Sequence, residues 1–179
     1  MAEKFEEIAV VVDQSSLGNG IYDLTLKTDK IAKAAKAGQF VSVYSNDKSK
    51  LLPRPISLCG INRDDDTIRL VYRVTGEGTG TEEFSKLVRG DKVRILGPLG
   101  NGFTVQPGKK AFLIGVGIGV PPMLQLAKDI NAGIVQTSGD EKNSGQAAME
   151  GAEIKTAVCD MNIVMGYRDE NTFLLDEFK

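Results

Sequence analysis

Up to Gly102, apolar residues fall in short runs with a period of two, separated by turn-forming stretches. Phe5 to Val12, with Ile8, Ala9, Val10 and Val11, reads as a first strand. Gly18-Asn19-Gly20 is turn chemistry, and Ile21 to Lys27 follows with Tyr22, Leu24 and Leu26 on one face. Ile31 to Ala37 is an alanine–lysine stretch, either one helical turn or a loop. Phe40 to Ser45 reads as a third strand, and a fourth carries Arg54 to Leu58. A fifth, Thr67 to Val74, sets Ile68, Leu70, Tyr72 and Val74 against Arg69, Val71 and Arg73. Thr81 to Val88 has a helical pattern, and Asp91 to Leu96 reads as a sixth strand. Short, evenly spaced strands with one helix predict a small antiparallel barrel.

The rhythm changes after the turn-rich stretch Gly97-Pro98-Leu99-Gly100-Asn101-Gly102. Ala111 to Ile114 is continuously apolar, a glycine-rich turn follows, and Pro121 to Ile130 reads as a helix. Ile163 to Gly166 is another short apolar strand, and Phe173 to Phe178 another helix start. Strand–helix–strand with buried strands is the parallel, doubly wound pattern. The expected fold is therefore mixed β and α/β. A six-stranded antiparallel barrel occupies 1–102, and an incomplete doubly wound α/β domain occupies 103–179. Asn131 to Thr156 is polar and patternless and reads as an exposed loop or insertion.

Composition narrows the function classes. Of the 179 residues, 41% are apolar and 26% charged, an ordinary soluble balance. The net charge of -2, without a basic stripe, gives no electrostatic footprint for nucleic acid. With no histidine, His-based acid–base catalysis, a Ser-His-Asp triad and a His metal site are excluded within this chain. Two cysteines, Cys59 and Cys159, cannot by themselves hold an iron–sulfur cluster or a closed zinc site. No disulfide framework is implied, so a reducing cytoplasm is the expected compartment. The start of the chain lacks the basic-then-apolar order of a signal peptide. The longest apolar run, Ala111 to Leu124, is broken by glycines and prolines and is too short to cross a bilayer.

Three stretches carry candidate chemistry. In Leu52-Pro53-Arg54-Pro55-Ile56-Ser57 the proline pushes Arg54 toward an extended backbone, giving its guanidinium a defined exit direction. Such a planar fork suits a bidentate grip on phosphate. Tyr72-Arg73 on the next strand would lie within one ligand's length, although Tyr72 alone reads as a core aromatic. The second stretch, Gly76-Glu77-Gly78-Thr79-Gly80-Thr81, precedes a helix, where free N–H groups favour an anion. Thr81 there is also a plausible N-cap. The third, Gly115-Val116-Gly117-Ile118-Gly119-Val120-Pro121-Pro122, sits between a buried strand and a helix, the context of a nucleotide phosphate turn. Cys59 reads as a small buried hydrophobe rather than a redox thiol.

Taken together and in this order, the stretches resemble the ferredoxin–NADP reductase superfamily. Within it they resemble the electron-transfer subunits of NAD-dependent dihydroorotate dehydrogenase. The resemblance also rests on Gly38-Gln39-Phe40, on Tyr72 to Thr79, on Leu96 to Phe103, and on Met165-Gly166-Tyr167-Arg168 with Phe173 and Asp176-Glu177-Phe178. It implies an FAD on the barrel. Arg54 would serve the pyrophosphate, Pro55, Ile56 and Ser57 one wall, Val71, Tyr72 and Arg73 a second wall, and Gly78 and Thr79 the closing helix start. Gly115, Gly117 and Gly119 would face NAD(H), the substrate nucleotide. It further implies an FMN-containing catalytic subunit as partner, electron transfer from dihydroorotate to NAD+ in pyrimidine biosynthesis, and no membrane.

Departures from the family are visible. The family's chain is longer and carries a [2Fe–2S] cluster on four cysteines near its end, which are absent here. Val116 stands where the family has its middle glycine, and the 131–156 segment is longer than usual. A C-terminally truncated member is expected. Other readings are a reductase subunit for a different flavin or iron–sulfur partner, and a non-enzymatic barrel that acts as an interaction module.

Overall fold

The computed structural model describes residues 3–47, 49–106, 109–134 and 161–179. Six strands close into an antiparallel barrel: β1 (Phe5–Gly18), β2 (Ile21–Lys27), β3 (Phe40–Val43), β4 (Arg54–Asn62), β5 (Thr67–Arg73) and β6 (Lys92–Leu99). Their spatial order is β1-β2-β5-β4-β3-β6, so that closure leaves no unpaired edge strand. A one-turn helix, α1 (Ile31–Ala34), links β2 to β3, and α2 (Gly80–Phe84) links β5 to β6.

Alternation decides which side chains fill the barrel. Leu24 and Leu26 of β2, with Ile68, Leu70 and Tyr72 of β5, point inward beside Val41, Val43, Leu58, Val93 and Ile95. The opposite face of β5 sends Val71 outward into a second cluster with Ile21, Cys59, Val120, Leu124, Phe173 and Leu174. That cluster joins the barrel to the rest of the chain.

The second unit pairs β7 (Ala111–Val116) with β8 (Met161–Gly166) in parallel, Ala111 opposite Met161 through Val116 opposite Gly166. A 3₁₀ turn (Gly117–Gly119) leads from β7 into α3 (Pro121–Asn131). Leu126, Ala127 and Ile130 of α3 cover Leu113 on one face of this sheet.

Several boundaries differ from those the sequence predicts. β1 runs on to Gly18 because it wraps β2, with irregularities between Val11 and Asp13 and between Ser16 and Gly18. β4 continues to Asn62, and β3 stops at Val43. α2 ends at Phe84 rather than Val88. Beyond it the amides of Lys86 and Leu87 bond three residues back, and the Gln14 side chain takes the carbonyls of Phe84 and Leu87. β6 passes through the expected 97–102 boundary as far as Leu99, and the C-terminal helix is a 3₁₀ turn, Leu175–Phe178. Of the predicted 131–156 loop, residues from 135 onward lie outside the described ones.

Candidate dinucleotide site

The barrel has one seam. β4 and β5 pair from Asn62–Thr67 to Leu58–Leu70, and beyond that point no ladder joins them. Arg54 to Ser57 pair instead with β3, and Val71 to Arg73 with β2. The two strands therefore part, each presenting one backbone edge to the gap between them. A planar heteroaromatic ring with donors and acceptors on its rim fits such a pair of edges. The gap opens into a cleft of about 450 Å³ lined by Arg54, Pro55, Ile56, Ser57, Val71, Tyr72, Arg73, Thr75, Thr81 and Ile118.

Two arginines line this cleft, and among the described residues no carboxylate does. Arg54 crosses toward the start of α2, where a side chain added at Gly80 would lie 3.3 Å from its Nε. A side chain there would crowd the arginine. Arg73 has a buried Nε with no hydrogen-bond partner among the described residues. An uncompensated guanidinium nitrogen away from water is costly, so these donors suit an anion brought in from outside.

Tyr72 is a core residue as well as a wall. Its ring stacks on Tyr22 with centroids 5.9 Å apart and meets Phe84 edge-on at 6.3 Å. Its hydroxyl donates to Gln14 Oε1 at 3.1 Å, and burial pushes the phenol pKa up. Cys59 lies fully buried behind the same wall, and burial raises its thiol pKa to about 12. It is an inert packing group, as expected.

The turn before α2 is arranged differently from the expectation. The N-cap is Thr79, not Thr81, and its Oγ1 accepts from the Glu82 N–H at 3.3 Å. The Glu82 carboxylate accepts from the Gly78 N–H at 2.6 Å, so that amide is already occupied. Lys86, and then the Gly78 N–H, hold the Glu82 carboxyl below its usual range. Thr81 instead turns its hydroxyl to the Thr75 N–H at 3.0 Å and reaches the cleft wall. Gly78 and Thr79 are not among the residues that line the cleft, and the Thr79 hydroxyl meets that of Thr81, which is, at 3.0 Å.

The glycines of the third stretch also separate. A side chain at Gly115 would lie 2.9 Å from Met165 Sδ and 3.0 Å from Val120 Cα, so close packing of β7, β8 and α3 explains that glycine. Gly117 (φ +53°) and Gly119 have open space where a side chain would stand. Ile118 between them lines the cleft, while Gly117 borders a smaller one of about 160 Å³ with Arg73, Tyr167, Arg168 and Asp169. Arg73 is thus shared by both clefts.

Sequence reasoning missed Thr75, Thr81 and Ile118 as lining residues. The pattern Thr79-Gly80-Thr81-Glu82, a capping box, could have fixed the helix start and freed Thr81 for the wall. Nothing local marks Ile118.

A closed antiparallel barrel, parted at one seam and followed by a strand–turn–helix unit whose turn reaches that seam, defines a flavin-reductase type of architecture. The chain belongs to the oxidoreductase FAD-binding domain family, whose model matches residues 9–103. It is 42% identical over 132 residues to the dihydroorotate dehydrogenase B (NAD(+)) electron transfer subunit of Enterococcus faecalis, covering 72% of this chain and 49% of that protein. The corresponding subunit of Streptococcus mutans is 44% identical over 128 residues, covering 70% of this chain and 48% of that protein. This chain spans about half the length of these curated relatives.

Solved structures share the fold. The NADH-dependent reduced ferredoxin-NADP oxidoreductase structure superposes with a TM-score of 0.72 at 22% identity, over 97% of this chain and 53% of that one. Phthalate dioxygenase reductase gives 0.66 at 19% identity, over 96% and 47%. Among the described residues no helix is long and apolar enough to cross a membrane, and no cluster of His, Cys, Asp or Glu could hold a metal ion.

Proposed function

We propose that this chain is the FAD-carrying part of an electron-transfer subunit that serves a dihydroorotate dehydrogenase and delivers electrons to NAD+. The observation that carries this reading is a pair of arginines, Arg54 and Arg73, lining one cleft at the seam of a barrel of this family, with no carboxylate among its described lining residues and with the Arg73 Nε buried without a described partner. The naming of the curated relatives supports the redox partners. Bound in the cleft, FAD supplies hydride and single-electron chemistry at one ring.

The protein's own part is to bind and orient. Arg54 and Arg73 take the diphosphate, Thr75 and Thr81 close the wall beside it, and Ile56, Ser57, Val71 and Tyr72 hold the ring between the parted strands. Gly117 and Gly119, with room on their open side, admit the nicotinamide dinucleotide, and Ile118 spaces it from the cleft. Gly78 and Thr79 contribute through the capped start of α2. The division of labour falls at residues 102 and 103: barrel for FAD, parallel unit for NAD(H). An FMN-containing catalytic subunit is the donor partner, and the cytoplasm is the compartment in which this pyrimidine-pathway chemistry runs. A four-cysteine [2Fe–2S] cluster does not fit a chain with two cysteines, one of them buried.

The test is an FAD titration of protein stripped of any bound flavin, followed by flavin fluorescence. Stoichiometric uptake with quenched emission is expected. Protein that takes up no FAD at micromolar concentration contradicts the reading. Co-purification with a dihydroorotate-oxidising subunit separates this partner from another flavin or iron–sulfur enzyme.

A further inference from the structure

Two polar contacts away from the cleft join α3 and the C-terminal turn to the barrel, in addition to Asn171, which donates to the Leu17 carbonyl at 2.9 Å, and Asn19, which donates to Asp169 at 3.2 Å. The first is Arg69 of β5. Its Nε donates to both oxygens of Asp23 at 3.0 Å, and its Nη2 donates to Asp23 Oδ2 at 2.6 Å. The remaining donors of the same fork reach Glu177 of the C-terminal 3₁₀ turn, at 2.7 Å from Nη1 and 2.8 Å from Nη2. Lys128 of α3 stands 3.9 Å from the same carboxylate. Arg69 is thus bidentate to the barrel on one side and to the C-terminal turn on the other. Gly60 opposite it makes room, since a side chain there would lie 3.2 Å from Arg69 Cβ.

The second contact is Gln125 of α3. Its Oε1 accepts from the Ile61 N–H of β4 at 2.7 Å, while its Nε2 donates to Asp129 at 2.7 Å. The side chain is buried, with acceptor and donor both used. A cleft of about 700 Å³ lined by Ile61, Arg69, Gln125 and Lys128 opens beside these contacts, between α3 and the β4–β5 hairpin. These polar groups therefore tie the two units together beside the apolar cluster of Cys59, Val71, Val120 and Leu124 that already joins them.

These contacts have mechanical leverage on the site. α3 begins at the 117–119 turn, and Val120 at its start is buried against Val71, a cleft-lining residue, and Phe173 of the C-terminal segment. Fixing α3 at Gln125 and the C-terminal turn at Glu177 fixes where Ile118 sits over the cleft. We propose that Arg69 and Gln125 are positioning residues, which together clamp the parallel unit at one distance from the flavin cleft. They set the approach of the nicotinamide dinucleotide without touching it. The proposal rests on the FAD reading above for its functional meaning, but the clamp itself is a property of the fold.

The experiment compares amide exchange and flavin reduction in wild type, Glu177→Gln and Gln125→Leu, with Glu177→Asp as the conservative control. Exchange in residues 117–126 and 170–178 rises about tenfold in the first two variants, while amides of β2 are unchanged. Exchange returns most of the way to wild type in Glu177→Asp. In FAD-loaded protein, NADH passes a hydride to the flavin, giving NAD+ and reduced flavin. The maximal rate of that bleaching falls about tenfold, with FAD affinity changed less than about twofold, because the distance is lost and the cleft is kept. Unchanged exchange at 117–126 in both variants overturns the clamp, whatever the flavin does. Loosened exchange with an undiminished bleaching rate overturns the positioning role. A wild-type protein that takes up no FAD sinks the functional reading instead and leaves exchange to decide the clamp.

Discussion

The barrel and the parallel unit bury their apolar residues by opposite means. Closure gives every barrel strand two neighbours, and its interior is filled from all sides. The parallel unit has two described strands, with α3 on one face. On the other face Phe112, Ile114 and Val116 are 62%, 60% and 68% exposed, and Val164 is 49% exposed. The barrel can therefore afford a local fault, the parting of β4 from β5, and makes its cleft there. The parallel unit leans on the barrel through Val120, Leu124, Gln125 and Glu177.

Substitutions graded by size sharpen this contrast. Leu24→Ala, inside the closed barrel, should cost about 2–5 kcal/mol in denaturant unfolding, through lost transfer energy and a cavity. A cost near zero would mean that the barrel interior is not the stabilising core. Gly115→Ala should cost about 1–3 kcal/mol, because Met165 and the α3 backbone have little room to yield. Its effect should concentrate in the parallel unit, read as faster amide exchange across 113–130 with β2 protected.

The ion pair of Arg69 and Glu177 gives a pH signature. The Arg69 hydrogen bonds hold the Glu177 carboxyl below its ordinary value, an effect opposed by burial and aided by the charges of Arg69 and Lys128. A carboxyl lowered in the folded state contributes stability above its unfolded pKa, and that contribution is lost as pH falls through the folded one. The melting temperature of wild type should thus drop on acidification below the usual carboxylate range, and Glu177→Gln should drop less steeply. Parallel acid limbs would show that the pair contributes nothing. Smallest of all, Phe112→Ser should change stability by within about 0.5 kcal/mol, because the ring is already largely exposed. A loss of more than that would mean that something covers this face.

How far the sequence revealed these features follows from the range of the interactions. The strands were legible because alternation is local: Leu24 and Leu26, or Ile68, Leu70 and Tyr72, mark the inward face by spacing alone. The extension of β1 through Asp13 to Gly18 was not, since those polar residues are in a strand only because β2 pairs with them. Arg54 to Ser57 stood out as a motif, whereas the seam that makes them a cleft depends on where the β4–β5 ladder stops. The clamp was invisible. Gln125 meets Ile61 across 64 residues and Arg69 meets Glu177 across 108, and no local pattern encodes either pairing. Gly115, grouped with Gly117 and Gly119 by spacing, turned out to have a packing reason of its own.

Whether the seam arginines grip a dinucleotide's diphosphate is read from FAD affinity in Arg54→Ala beside Arg89→Ala. Arg89 is exposed and lies outside the cleft, so it controls for net charge. Arg54→Ala should weaken FAD by about 1.5–3 kcal/mol, roughly 10- to 150-fold, the scale of a charge-assisted hydrogen bond. Arg89→Ala should leave affinity at the wild-type level. Wild-type affinity in Arg54→Ala would contradict such a grip.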